Sequence, residues 1–183
     1  MFFKSILTAL SAVVMFTLPA ATAAESRADR LLSELQMAET EVAAQRLENQ
    51  LIAEWSKSGS PSMDLLLKRG RDALELKKGR VAAEHFRALT DHAPEFAEGW
   101  HGLALSYFQL DHMGPAMDAL ERTLTLNPNH FGALRGVGAI NEQVGAPSLA
   151  YQAYSRVLEM RPHDSDVIQA MDRLEREVLG TKL

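Results

Sequence analysis

Three prolines recur at a fixed interval along this chain. Pro94, Pro128 and Pro162 are equally spaced. The same interval relates a series of alanines and a series of large apolar residues: Ala82, Ala116 and Ala150, and Phe86, Leu120 and Tyr154. A period of about 34 residues predicts a stack of similar units, because no single unit of this size can bury its apolar face alone.

Each unit is predicted to pair two amphipathic helices. Gly70, Ala104 and Gly138 are placed where the first helix approaches the second, and the alanine series lies on the facing side. The prolines end each second helix, since proline cannot continue one. The sequence therefore predicts an all-α chain with three units, at residues 63–96, 97–130 and 131–164.

The middle unit carries the most complete motif. It reads Trp100-x2-Leu103-Ala104-x2-Tyr107, then Ala116-x3-Leu120, then Pro128. Both this pattern and the interval resemble those of the tetratricopeptide repeat family, W-x2-L-G-x2-Y…A-x3-F…P, and the first and third units match the pattern less fully. The resemblance implies an α-solenoid of three helix-turn-helix repeats, whose first helices line a concave groove for a peptide or a partner helix.

Carried over position by position, the resemblance implies ten groove residues: Leu67, Arg71, Leu74, His101, Leu105, Phe108, Gln109, Arg135, Glu142 and Gln143. Arg71, Phe108 and Arg135 are the expected anchors, because arginine and aromatic side chains dominate interface energetics. The lysine and asparagine clamp by which chaperone-binding members hold a terminal carboxylate is not present. Leu67, Arg71, His101 and Gly136 occupy the corresponding places.

Residues 165–183 are predicted to form a C-terminal capping helix. Ile168, Met171, Leu174 and Val178 make one apolar stripe at helical spacing. Asp172 stands one full repeat interval after Gly138, where a second helix would need a small residue. We therefore expect water, rather than a further helix, at this position.

The first 24 residues have the pattern of a secretory signal peptide. Lys4 precedes an uncharged apolar stretch at 5–18, and Pro19 leads into a run of small residues that permits cleavage after Ala23 or Ala24. The stretch is short for a membrane span, although an uncleaved anchor stays a competing interpretation. The sequence predicts a periplasmic protein with no stable membrane insertion after cleavage.

The N-terminal segment, residues 25–62, carries two apolar stripes on opposite sides of a helix. Leu31, Leu32, Leu35 and Ala38 form the first stripe, and Ala44, Leu47, Leu51 and Trp55 form the second. We expect a helical hairpin that breaks near Glu39 and Thr40 and closes the array at the first repeat, with Ser62 capping the helix that follows. The alternative is one continuous helix that pairs with another copy, which would make the protein a structural homo-oligomer with the repeats as a spacer.

The composition excludes several kinds of site. The chain has no cysteine, and its net charge of -5 argues against binding to nucleic acid. No hydrolase, nucleotide-binding or metalloprotease motif is present, and no two histidines stand four residues apart. We therefore expect no enzyme, no cofactor and no metal site, and we expect His92, His130 and His163 to be solvated turn residues.

A basic cluster at residues 68–80 stands out in this acidic chain. It holds six basic residues: Lys68, Arg69, Arg71, Lys77, Lys78 and Arg80. The plain interpretation is surface charge with lysines at a helix C-terminus, and the alternative is a dock for an acidic partner or lipid headgroups. Arg69 departs from the family pattern, since the later repeats carry Leu103 and Val137 in its place.

The sequence thus predicts an exported adaptor or assembly factor that works by binding another protein.

The register of the repeats can be tested at Ala116. Replacing Ala116 by leucine is expected to overpack the helix pair and to cost about 1–3 kcal/mol of unfolding free energy. Urea unfolding measures this loss, and wild-type stability in the variant would show that the register is wrong.

Overall fold

The computed structural model describes residues 26–180, with side chains described through residue 176. All regular structure in this range is α-helical, as the sequence predicts. The helices are α1 (Arg27–Gln36), α2 (Glu41–Trp55), α3 (Pro61–Glu75), α4 (Gly79–His92), α5 (Ala97–Gln109), α6 (Met113–Leu126), α7 (Phe131–Gln143), α8 (Pro147–Met160) and α9 (Ser165–Gly180). The predicted signal peptide lies outside the described residues. Within them, no helix is both long enough and apolar enough to span a bilayer.

Helices α3 to α8 form three helix pairs, and α9 packs against α8 after the last of them. In the second and third pairs, the first helix also packs on the second helix of the preceding pair, α5 on α4 and α7 on α6. Between the helices of a pair, the chain turns through a left-handed residue, and these residues are spaced at the interval of the prolines: Lys77 (φ 56°), Asp111 (φ 61°) and Gly145 (φ 74°). The repeat therefore extends to the backbone of the turns.

Close contact within each pair depends on a small residue facing a large one. All six predicted small residues, Gly70, Ala82, Ala104, Ala116, Gly138 and Ala150, are buried. A methyl group added at Gly70 would lie 2.6 Å from the Phe86 ring, and one at Gly138 would lie 2.3 Å from the Tyr154 ring. The middle pair has Ala104 and Leu120 at these positions. Alanine is larger than glycine and leucine is smaller than an aromatic residue, so the two changes compensate in volume.

The C-terminal helix caps the array by a face slightly different from the predicted one. Val167, Ala170 and Leu174 are buried, whereas Ile168 is exposed, so the apolar stripe is rotated toward α8. The side chain of Val178 lies outside the described range. Asp172 is exposed, as expected.

The N-terminal segment forms two helices, with α1 packed against α2. Thr40 caps α2 by accepting a hydrogen bond from the Ala43 amide. The α3 cap is Ser60, not Ser62, because Pro61 takes the first helical position and places Ser62 inside the helix.

The expectation that this hairpin closes the first repeat is wrong. Helix α1 packs on α8, in the third repeat, and buries Leu31, Leu32 and Leu35 there in one apolar cluster with Val157 and Met160. Helix α2 then crosses back toward α3.

Charge on α3 explains this placement. Lys68, Arg69 and Asp72 occupy positions that correspond to Gly102, Leu103 and Ser106 in α5, which face the preceding helix pair. The three charged residues are exposed, and Lys68 and Asp72 form an ion pair at 2.6 Å. An apolar helix docked here would bury these charges, which is costly, so the first repeat keeps this end in water.

The pairing of small and large residues predicts a coupled effect in the third repeat. Gly138→Ala is expected to cost about 1–3 kcal/mol, because its methyl group would overlap the Tyr154 ring. In a Tyr154→Leu background, Gly138→Ala is expected to cost at least about 1 kcal/mol less, because the two changes together give the alanine and leucine pair that the middle repeat already has. Urea unfolding of the four proteins measures the coupling, and strictly additive losses would contradict this packing.

Candidate functional site

The first helices of the repeats line an open groove. A cavity of about 550 Å³ lies between α5, α7 and α9. Its apolar wall includes Leu105 and Phe108, which are 39% and 38% exposed although both are large and hydrophobic. Ala104, Leu120, Gly136 and Ile140 also line it. An apolar surface that faces an open cavity in this way is typical of a binding site.

Ion pairs between α7 and α9 form the polar part of this cavity. Arg173 contacts Glu142 at 2.6 Å, and Arg135 contacts Asp166 at 3.4 Å. Glu142 also accepts a hydrogen bond from the Tyr154 hydroxyl at 2.9 Å. Burial and this bond raise the pKa of Tyr154, so the hydroxyl keeps its proton and holds Glu142 in place.

Helix α2 covers the other part of the groove. Trp55 stacks on His130, with ring centroids 5.0 Å apart, and also contacts Phe131. A smaller cavity of about 290 Å³ remains beneath α2. It shares His101, Leu105, Gly132 and Arg135 with the open cavity, so the two cavities are neighbours.

Two polar ties fasten the hairpin at opposite ends. Arg161, at the end of α8, forms an ion pair with Glu48 of α2. Arg71 of α3 donates a hydrogen bond to the Ser56 hydroxyl at 2.9 Å. Helix α2 is thus tied to both the first and the third repeat.

A buried polar network lies under Trp55. Glu98 is 4% exposed and accepts hydrogen bonds from Arg71 and from Nε2 of His130. Burial raises the pKa of Glu98, but the hydrogen bond from His130, the two neighbouring histidines and the Arg71 guanidinium outweigh burial and bring the pKa down to about 2. Burial and the neighbouring His130 lower the pKa of His101 to about 3. At neutral pH, the network holds an ionised Glu98 and an uncharged His101.

The same residues are spaced as metal ligands often are. Ligand atoms of Glu98, His101 and His130 all lie within 4.8 Å of one another. However, Nδ1 of His130 accepts a hydrogen bond from the Ala133 amide, so Nε2 carries the proton and donates it toward Glu98. A metal would need that nitrogen unprotonated and would meet the Arg71 guanidinium beside Glu98. The arrangement fits a hydrogen-bonded network better than a metal site.

The ten predicted groove residues divide into three groups. The open cavity is lined by five of them: His101, Leu105, Phe108, Arg135 and Glu142. Arg71 and Leu74 line only the covered cavity, and Arg71 is engaged by Glu98 and Ser56.

The other three predicted residues, Leu67, Gln109 and Gln143, line neither cavity. Leu67 is 3% exposed and belongs to the core. Gln109 and Gln143 link neighbouring repeats, since Gln109 donates to the Leu74 carbonyl and Gln143 to the Asp111 carboxylate.

Two of the turn histidines contradict the expectation of solvation. His130 is buried, and Nε2 of His163 lies 2.7 Å from the Ala38 carbonyl oxygen. Both turns are covered by the N-terminal hairpin, whose position the repeat pattern does not contain. The sequence does indicate that Glu98 and His101 lie close together, because residues three apart share a helix face.

Comparison with known proteins places these features among helical repeats. Residues 103–175 match the family model described as "Tetratricopeptide repeat". A TPR repeat-containing protein of Rhizobium etli is 28% identical over 163 residues, which cover 89% of this chain and 80% of that protein.

Solved structures share the fold at low sequence identity. The first TPR of Spaghetti (RPAP3), bound to an HSP90 peptide, is 20% identical with a TM-score of 0.61, over 64% of this chain and 93% of that one. The MamA protein is also 20% identical, with a TM-score of 0.60, over 84% of this chain and 82% of that one. These likenesses support the solenoid fold.

The buried network predicts that acid destabilises the protein. Unfolding would return the pKa of His101 from about 3 to its ordinary value of 6.5, so the unfolded chain binds more protons between these values. Stability should therefore fall as pH drops below 6.5, with a slope from this group approaching about 1.4 kcal/mol per pH unit. Glu98, whose pKa rises from about 2 to 4.5 on unfolding, adds a further loss below pH 4.5.

Urea unfolding between pH 7.5 and 5 measures this dependence. His101→Gln is expected to flatten it, whereas His112→Gln, at an exposed position away from the network, is the matched control. An equal pH slope in wild type and His101→Gln would contradict the assignment.

Proposed function

We propose, from the premise that this chain is a tetratricopeptide repeat protein, that it is an exported adaptor or assembly factor that binds a segment of another protein in its open groove. Leu105 and Phe108 carry the proposal, because both are large apolar side chains exposed toward the 550 Å³ cavity. Covering them with a partner would remove apolar surface from water, which is the main driving force of association.

The groove is suited to binding rather than turnover. Its ionisable groups are held in pairs, as in Arg173 with Glu142 and Arg135 with Asp166. These pairs have no nucleophile between them, and they give the polar side of the cavity a balanced charge. The fold neighbours bound to peptides support this function, since the Spaghetti domain carries an HSP90 peptide and the second TPR domain of human RPAP3 carries an HSP70 peptide.

The proposed place of action rests on the sequence. The pattern of residues 1–24 supports secretion across the inner membrane and work in the periplasm, among proteins of the cell envelope.

The homo-oligomer hypothesis loses its proposed contact surface. Both apolar stripes of the N-terminal segment are used within the chain, since Leu31, Leu32, Leu35, Ala44 and Leu51 are buried in it. A coiled coil between copies would have to withdraw these residues from the array, and nothing in the sequence of α2 offers sustained heptads in exchange.

Photocrosslinking tests the groove. A photoreactive amino acid is introduced at position 108 in cells that produce the protein. It is expected to crosslink to a partner protein. Leu105→Lys in the same chain is expected to reduce capture at least about tenfold, because it places a charge in the apolar wall.

Leu149→Lys is the matched control, since Leu149 is also an exposed leucine on a helix, 54% exposed, and it does not line the cavity. The proposal fails if both lysine variants capture the same proteins equally.

A further inference from the structure

Helix α2 lies over groove positions that the resemblance assigns to a partner. Beneath it, Ile52 and Trp55 face the cavity of about 290 Å³, whose other wall includes Arg71, Leu74 and His101. Arg71 and Leu74 are predicted groove residues, yet they line only this covered cavity. At the first repeat, a helix of the chain itself therefore takes the place of a ligand.

The side of α2 that faces the groove is loosely packed. Glu48, Ile52 and Trp55 line the covered cavity, and each of them stays partly exposed. The two buried residues of α2, Ala44 and Leu51, belong instead to the apolar cluster that α1 forms with α8. Because a cavity remains beneath α2, its groove side lacks part of the contacts that a filled core makes.

Burial of charge opposes the closure of α2. Trp55 stacks on His130, whose Nε2 is bonded to Glu98. Glu98 is ionised and only 4% exposed, so closing α2 over it removes a charge from water. The polar ties of α2 to Arg161 and Arg71 are exchanged for bonds to water when it opens. The free energy that holds α2 closed is thus a difference between opposing contributions.

Two short joints connect α2 to fixed parts of the chain. Before α2, the Ala38 carbonyl oxygen lies 2.7 Å from an imidazole nitrogen of the third repeat. After α2, the Ser58 hydroxyl donates a hydrogen bond to the Asp64 carboxylate of α3. The chain between these fixed points and the helix includes the exposed residues Glu39 and Lys57. Bending at these joints would leave α1 and α3 in place.

We propose that α2 is a displaceable cover of the groove, and that the partner moves it aside to reach Arg71 and Leu74. The inference rests on the proposed function, because it concerns the same partner. The open and covered cavities share His101 and Leu105, so a segment bound in the open cavity lies against the edge of the cover. Once α2 is displaced, the Arg71 guanidinium binds a hydrogen-bond acceptor of the partner in place of the Ser56 hydroxyl.

Relaxation-dispersion NMR of the two tryptophan side chains tests whether the cover moves in the free, full chain. Trp55 lies on α2, whereas Trp100 lies on α5 and donates to the Pro94 carbonyl at 2.8 Å, so Trp100 is the internal reference. The Trp55 indole is expected to exchange with a minor state populated at about 1–10%, on the microsecond-to-millisecond timescale. Trp100 is expected to show no such exchange.

Weakening one tie should enlarge the minor state. Glu48→Gln removes the ion pair with Arg161 and is expected to raise the minor population at least about twofold. Glu39→Gln removes a carboxylate at an exposed position next to α2, and this matched control is expected to behave as wild type does. The inference is overturned if Trp55 shows no exchange in wild type and in Glu48→Gln, or if Glu48→Gln and Glu39→Gln give the same population.

Photocrosslinking from beneath the cover tests whether the partner displaces it. A photoreactive amino acid at position 74 is expected to capture the same protein as one at position 108. Glu48→Gln is expected to raise capture at position 74 at least about twofold and to leave capture at position 108 unchanged.

The two crosslinking positions separate the inference from the proposed function. Capture at position 108 alone, or capture at position 74 that Glu48→Gln does not change, would retain the proposed function and reject the displaceable cover. The absence of capture at both positions would reject both.

Discussion

The contact between a small residue of one helix and a large side chain of the next sets the geometry of this protein. At Gly70 and Gly138 the backbone lies so close to a ring that even a methyl group would not fit. Because the contact recurs once in every repeat, each helix pair has nearly the same internal spacing, and the first helices of successive pairs come to lie side by side. The groove exists because these pairs are closed tightly behind it.

Strict repetition also makes departures from it informative. The second junction has leucine at position 120, where the other two members of the series are Phe86 and Tyr154. Leu120 is accompanied by Ala104, which recovers part of the volume lost inside the pair, and Leu120 also packs against Gly136, where an added methyl group would lie 3.0 Å from it. A difference at one position of the series is therefore matched by a difference at its partner, and the junction stays closed.

The sequence alone predicts the structural features that recur in every repeat. Helix pairs, the six small residues and the exposed Asp172 all follow from spacing, since each position is constrained by its counterparts in the neighbouring repeats. Five of ten groove residues line the open cavity for the same reason. Gln109 and Gln143 line neither cavity, and spacing, which identifies a position, does not reveal that an amide there bonds to the neighbouring repeat.

The placement of the hairpin lies beyond any periodic argument, because α1 and α2 have no counterparts in the repeat. Their apolar stripes could pack on either of two surfaces. One is the end of the first repeat, and the other is the groove together with the third repeat. The first required burial of Lys68, Arg69 and Asp72, whereas the second offered Phe131 and Val157 as apolar contacts and Arg161 as an ion-pair partner for Glu48.

Desolvation decides between these alternatives, since burying these three charged side chains costs more than a few apolar contacts return. Arg69, which departs from the family pattern, is therefore part of the reason that α2 crosses the groove. The buried network of Glu98 and His130 follows from the same choice, because Trp55 can shield those groups from water only where α2 lies.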